Sequence, residues 1–207
     1  MSKSRVETLS DGIFAIAITL LVLTIPQPDN YRHLGHELAR RWPSLAAYVV
    51  SFGIIGIMWL NHHSIFSRFE RVDRGAFYLN LTLLLTIVFI PYPTGILGEA
   101  LQRGEGARVA AVAYSITMTV NGSAWAALWI YASHRRRLLE PGFPESERVI
   151  ATFLFTIGNV VYLASIGVAL LNAYACLAFH ALLALYYSFE PIARRTARPE
   201  TTDAGPA

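Results

Sequence analysis

The chain has 207 residues, 54% of them hydrophobic and only 15% charged, with a formal net charge of +3. An average soluble domain carries about 25% charged residues, so this composition, with a mean hydropathy of +0.42, points away from a soluble fold and toward a bundle of about six membrane helices of roughly 20 apolar residues each. The single cysteine, Cys176, excludes an intrachain disulfide and any multi-cysteine metal site, and reads as a small packing residue.

The first apolar run covers 7–26. It opens with charges, passes through Ser10-Asp11-Gly12, and then carries only Thr19 and Thr24 as polar side chains before Pro26 closes it. Glu7 and Asp11 interrupt what would be a basic leader, and Ile25-Pro26-Gln27-Pro28 offers no small-residue cleavage site, which argues against a cleaved signal peptide. The second run, 43–66, ends in Asn61-His62-His63. The third, 77–98, contains Pro91 and Pro93, whose spacing predicts a kink or a helix end near the outer face. The fourth, fifth and sixth are 108–133, 149–170 and 173–190, the last two joined by a tight hairpin around Asn172. Connectors 26–41, 99–107 and 134–148 read as loops. The fold class is therefore all-α, a polytopic membrane protein with one six-helix domain over 1–192 and a disordered cytoplasmic tail over 193–207.

Charge placement orients the bundle. Lys3, Arg5, Arg68, Arg71, Arg74, Arg135, Arg136, Arg137, Arg148, Arg194, Arg195 and Arg198 fall on one side, against Arg32, Arg40, Arg41, Arg103 and Arg108 on the other. The positive-inside rule then puts both termini in the cytoplasm. An even number of spans requires the same outcome. No internal repeat is visible, which weakens the case for a transporter built from inverted halves.

At about 100° per residue, Leu9, Gly12, Ile16, Thr19, Leu20 and Leu23 form one narrow stripe of the first helix, with Ser10 and Asp11 directed away from it. A stripe of this kind serves packing, lipid contact or a pathway between copies. Ser10 and Asp11 either cap the helix or, if it starts near Arg5, lie inside it. An acidic group at the mouth of an apolar run needs a partner. Trp59, His62, His63 and Asn80 enter the membrane at a similar level, and an Asp–His or Ser–His hydrogen bond would satisfy groups otherwise costly in hydrocarbon. Adjacent histidines diverge by about 100° on a helix, and metal ligation needs three or more converging ligands, so no metal site is expected. Asn121, Asn159 and His180 read as interhelical hydrogen bonders. The basic run 134–137 reads as a topology and lipid-headgroup determinant rather than a nucleic-acid site. No TVGYG filter, GxSxG, HExxH, phosphate loop or serial arginine array occurs. Nothing argues for an enzyme or a cofactor.

The segment Arg5…Leu9-Ser10-Asp11-Gly12 followed by IFAIAITLLVL resembles the transmembrane protein 175 family of potassium channels, whose first helix carries an R-x-x-x-F-S-D-G signature. The likeness extends to Trp59-Leu60-Asn61-His62-His63, to Asn80 and to Ile90-Pro91-Tyr92-Pro93-Thr94, covering the first half of the chain; the second half matches in hydropathy and helix count. Leu9 stands where the family usually has phenylalanine, which removes ring packing there. The resemblance implies a six-helix subunit that assembles as a homotetramer in the bacterial plasma membrane, with the first helices around the pore. It implies pore-lining layers at Ile16, Thr19, Leu20 and Leu23, and a supporting polar network of Arg5, Ser10, Asp11, Trp59, His62 and Asn80. The expected function is a potassium-preferring cation channel, with K⁺ and other monovalent cations as permeant species and membrane lipids as surroundings. Two rival readings are a proton- or ion-coupled secondary transporter using Asp11 with His62 or His63, and a non-conducting membrane scaffold.

Overall fold

A computed structural model describes residues 2–28 and 31–189, and its regular elements are helices. They are α1 (Lys3–Leu20), α2 (Leu34–Arg40), α3 (Trp42–Phe66), α4 (Arg74–Phe89), α5 (Pro91–Arg103), α6 (Ala107–Ser133), α7 (Glu145–Leu171) and α8 (Ala173–Phe189). The expected tail over 193–207 and its arginines lie outside the described residues.

Helix α1 begins a turn earlier than the apolar run, because Ser4 to Glu7 continue the helix beyond the hydrocarbon-like stretch. Ser10 and Asp11 are therefore interior residues, and the helix start is instead at Ser2. After Leu20 the backbone tightens into a 3₁₀ turn, Leu21–Thr24. The connector that follows is not a plain loop, since it holds the 3₁₀ turn Tyr31–His33 and α2. The third run breaks at Ile90, halfway along 74–103 rather than near one face. Pro91 and Pro93 sit in the opening turn of α5, where the missing amide is no loss. Asn172 separates α7 from α8 with an extended backbone, and its Oδ1 accepts from the Ala175 amide at 3.0 Å, so the hairpin is as tight as expected.

Among the described residues, four helical stretches are long and apolar enough to cross a membrane: 3–24, 42–66, 74–103 and 145–171. The expected fourth and sixth spans form helices but fall outside that set. Helix α6 has 27 residues, yet Ser115, Thr117, Thr119, Asn121 and Ser123 dilute its middle. It can carry them because it runs through the bundle against α4, α5, α7 and α8. Helix α8 is short, at 17 residues.

With α4 and α5 taken as one stretch, the long helices run back and forth between two ends. At one, Lys3 Nζ donates to Phe69 O at 2.7 Å and Phe69 pairs with Leu139 in an antiparallel bridge. At the other, Trp42 stacks on Tyr174 with ring centroids 5.8 Å apart, and the Tyr174 hydroxyl donates to Leu101 O at 3.0 Å. Between them lies a core that includes Phe14, Leu21, Ile55, Phe66, Leu83, Ile87 and Trp129. Helices α3 and α5 approach closely at Gly98, where a Cβ would lie 2.8 Å from Ser44 Cα.

Candidate functional site

Helix α1 has two contrasting faces. Val6, Ser10, Phe14, Ala17 and Leu21 are buried, spaced by three or four residues as one helical face requires. They pack against α3 and α4. The stripe Leu9, Gly12, Ile16, Thr19, Leu20 and Leu23 is exposed along its whole length; Ile16 is 55% and Leu23 76% accessible. Because the chain from Leu21 is 3₁₀, with i and i+3 eclipsed, Leu23 stands nearly in line above Leu20. The Thr19 hydroxyl donates to Ile16 O at 2.9 Å. Its hydrogen is thus engaged by the backbone, and the oxygen is left as an acceptor on the exposed side.

The polar residues of the buried level form two separate links. Ser10 Oγ donates to Val6 O at 2.8 Å and accepts from Asn80 Nδ2 at 3.0 Å. Asn80 Oδ1, an acceptor only, takes a hydrogen from His62 Nε2 at 2.9 Å. The His62 ring is stacked on Phe66 at 4.2 Å and meets the edges of Phe14 and Trp125 at 5.5 and 6.1 Å. Ser10, Asn80 and His62 are all fully or almost fully buried. The second link is shorter: exposed Asp11 accepts from Trp59 Nε1 at 2.8 Å.

The expected Asp–His or Ser–His bond is thus replaced by Asp–Trp and by a Ser–Asn–His chain. Ser10 and Asp11 do not share one set of neighbours: successive residues diverge by about 100°, so Ser10 meets α4 while Asp11 meets α3. Arg5 and His63 are exposed, and among the described residues their side chains make no hydrogen bond or ion pair. No group of three or more His, Cys, Asp or Glu converges as a ligand set among the described residues.

Two clusters escaped the sequence reading. Ser51 Oγ lies 2.9 Å from both Thr94 Oγ1 and Tyr114 OH, tying α3, α5 and α6 together. Hydroxyls inside apolar runs were the available signal. The other cluster joins the loops at the Lys3 end. Asp73 caps α4 by accepting from the Ala76 amide at 2.9 Å, and also accepts from Tyr131 OH and Arg137 Nε, each at 3.0 Å. Partial burial works to raise the Asp73 pKa, but these hydrogen bonds outweigh it and hold the carboxyl below its ordinary value. An aspartate just before a helical run is a start signal; its partners from a distant loop were not readable.

The family model described as "Endosomal/lysosomal potassium channel TMEM175" matches residues 5–91. A potassium channel of Streptomyces collinus is 44% identical over 192 residues, which is 92% of this chain and 93% of that protein. A potassium channel of Chamaesiphon minutus is 37% identical over 188 residues, 89% of this chain and 92% of that one. The crystal structure of a lysosomal potassium-selective channel TMEM175 homologue from Chamaesiphon minutus matches with a TM-score of 0.81 at 34% identity, covering 90% of this chain and 96% of that one.

Proposed function

This chain belongs to the TMEM175 family of potassium channels, and from that premise we propose that copies of it assemble, as a homotetramer, with the exposed stripe of α1 lining a shared axial pore. It is an integral membrane ion channel and not an enzyme. Six helical segments, α1, α3, α4 with α5, α6, α7 and α8, cross the bacterial plasma membrane in this reading, with the Lys3 end, richest in arginine, in the cytoplasm.

The observation that carries the proposal is the division of α1 into a packed face and a bare one. Rings of Ile16, Leu20 and Leu23 form hydrophobic constrictions that gate by dewetting, while Thr19 oxygens, with their hydrogens turned to the backbone, face a partly dehydrated cation. Apolar rings cannot replace a hydration shell, so the preference for K⁺ over Na⁺ is modest. The Ser10–Asn80–His62 chain and the Asp11–Trp59 bond hold the opposite side of α1 against its own subunit. The pairings of Asp11 with Trp59 and His62 with Asn80 weigh against coupled transport through Asp11 and His62, which would have to exchange a proton.

The test is ion flux from proteoliposomes under K⁺ and Na⁺ gradients, with the mass of the solubilised complex measured alongside. The expected mass is four chains of 22.9 kDa. Flux rises with driving force without saturating, and Ile16→Asn, by wetting a constriction, raises it and erodes K⁺ preference. A saturating, proton-moving flux, or one untouched by Ile16→Asn and Leu23→Ala, contradicts the assignment.

A further inference from the structure

A cavity of about 200 Å³ opens between α3, α6, α7 and α8, away from the bare face of α1. Its walls are mostly apolar, including Ile54, Met58, Trp125, Leu154 and Phe155. Asn121 and Asn159 also line it. At one end is Arg68, just past the last turn of α3 and at the arginine-rich end of the bundle. From Arg68 the lining reaches inward to Ile54, which lies 12 helical steps before the end of α3 at Phe66, or about 18 Å at the helical rise. An apolar wall with a cation at its surface end suits part of a hydrocarbon chain whose head lies at the membrane surface.

Arg68 supplies the charge argument. Its guanidinium sits over the Phe143 ring, 5.7 Å from the centroid, in a half-buried position. Its backbone is fixed by the Glu140 amide, which donates to Arg68 O at 3.0 Å. Among the described residues its side chain makes no hydrogen bond and no ion pair. Glu147 influences it only through space. A partly desolvated guanidinium of this kind is a planar, fixed donor fork that suits phosphate. Basic pockets between membrane helices on the cytoplasmic side recognise anionic headgroups.

We infer that this cavity binds an anionic phospholipid of the cytoplasmic leaflet, one acyl chain lying between α3 and α7 and the phosphate on Arg68. The site requires a membrane-embedded chain but not the pore assignment, and its readout is lipid binding rather than ion flux, so either can fail without the other.

The test uses the full-length protein, delipidated in detergent and titrated with phosphatidylglycerol or phosphatidylcholine of the same chains, with bound lipid counted by native mass spectrometry. Phosphatidylglycerol is expected to bind in preference, and Arg68→Gln to weaken it by roughly fivefold, the worth of one basic residue at a headgroup. Arg68→Lys, which keeps the charge but loses the planar fork, restores part of the binding, and Ala184→Phe, which fills the cavity without touching charge, weakens both lipids. Exposed Arg71→Gln leaves binding unchanged. Equal binding of the two lipids, equal loss in the Arg68 and Arg71 variants, or no effect of Ala184→Phe overturns the inference. So does complete displacement by millimolar inorganic phosphate, which would make Arg68 a site for free anions. Should Arg68→Gln fail to fold, the Ala184→Phe and Arg68→Lys results still decide.

Discussion

Asn80 holds two helices to α4 through one side chain: its amide nitrogen serves Ser10 on α1 and its oxygen serves His62 on α3. Removing it leaves the His62 N–H buried without a partner and the Ser10 hydroxyl bonded only to Val6 O. Asn80→Ala is therefore expected to lower stability by about 1–2 kcal/mol, the range for an orphaned buried group tempered by the modest worth of polar pairs in membranes. Thermal unfolding of the solubilised protein checks this, and an unshifted melting curve contradicts it. At this scale the sequence allowed directions but not partners. The helical wheel separated Ile16, Thr19, Leu20 and Leu23 from Ser10 and Asp11, because a constant period of 3.6 holds as far as Leu20. It could not show that Asp11 would meet Trp59 and not a histidine, since that depends on how far α3 rotates against α1.

Between elements, the loops at the Lys3 end are clipped together by the Phe69–Leu139 bridge and by Asp73. The Asp73 pKa is depressed in the folded protein, so the stabilisation it gives is fully present above its unfolded value of about 4. That stabilisation disappears as pH falls through the lower folded value. Stability measured from pH 6 down to pH 3 should drop more steeply for the native chain than for Asp73→Asn, which lacks the titration; identical slopes refute the role given to Asp73. Long helices were legible from apolar runs, and their boundaries moved by up to five residues, at Arg103, where charged residues continue a helix into water. Helix α2 was not legible, because seven residues with a glycine and few apolar side chains carry no periodic signal. The depth of the Ile90 break was not legible either: a proline pair shows that the ladder is interrupted, but not whether the chain then continues as α5 in the same direction.

For the whole molecule, hydropathy reveals a helical membrane protein, while the cytoplasmic placement of the Lys3 end follows from charge alone. What composition could not reveal is which faces a single chain leaves bare, because that requires knowing which faces its own helices cover. The central claim concerns one of those faces: the Ile16–Leu23 edge of α1 looks onto a water-filled axis shared between copies. It is tested most directly by cysteine accessibility during K⁺ flux in proteoliposomes, on a Cys176→Ser background, using a small thiol-reactive cation. Reagent is expected to block Ile16→Cys and Leu23→Cys rapidly while sparing Val22→Cys, which is exposed but turned about 120° from Leu23 in the 3₁₀ turn. Block of Val22→Cys with Ile16→Cys and Leu23→Cys unaffected would place that edge of α1 in lipid and contradict the account.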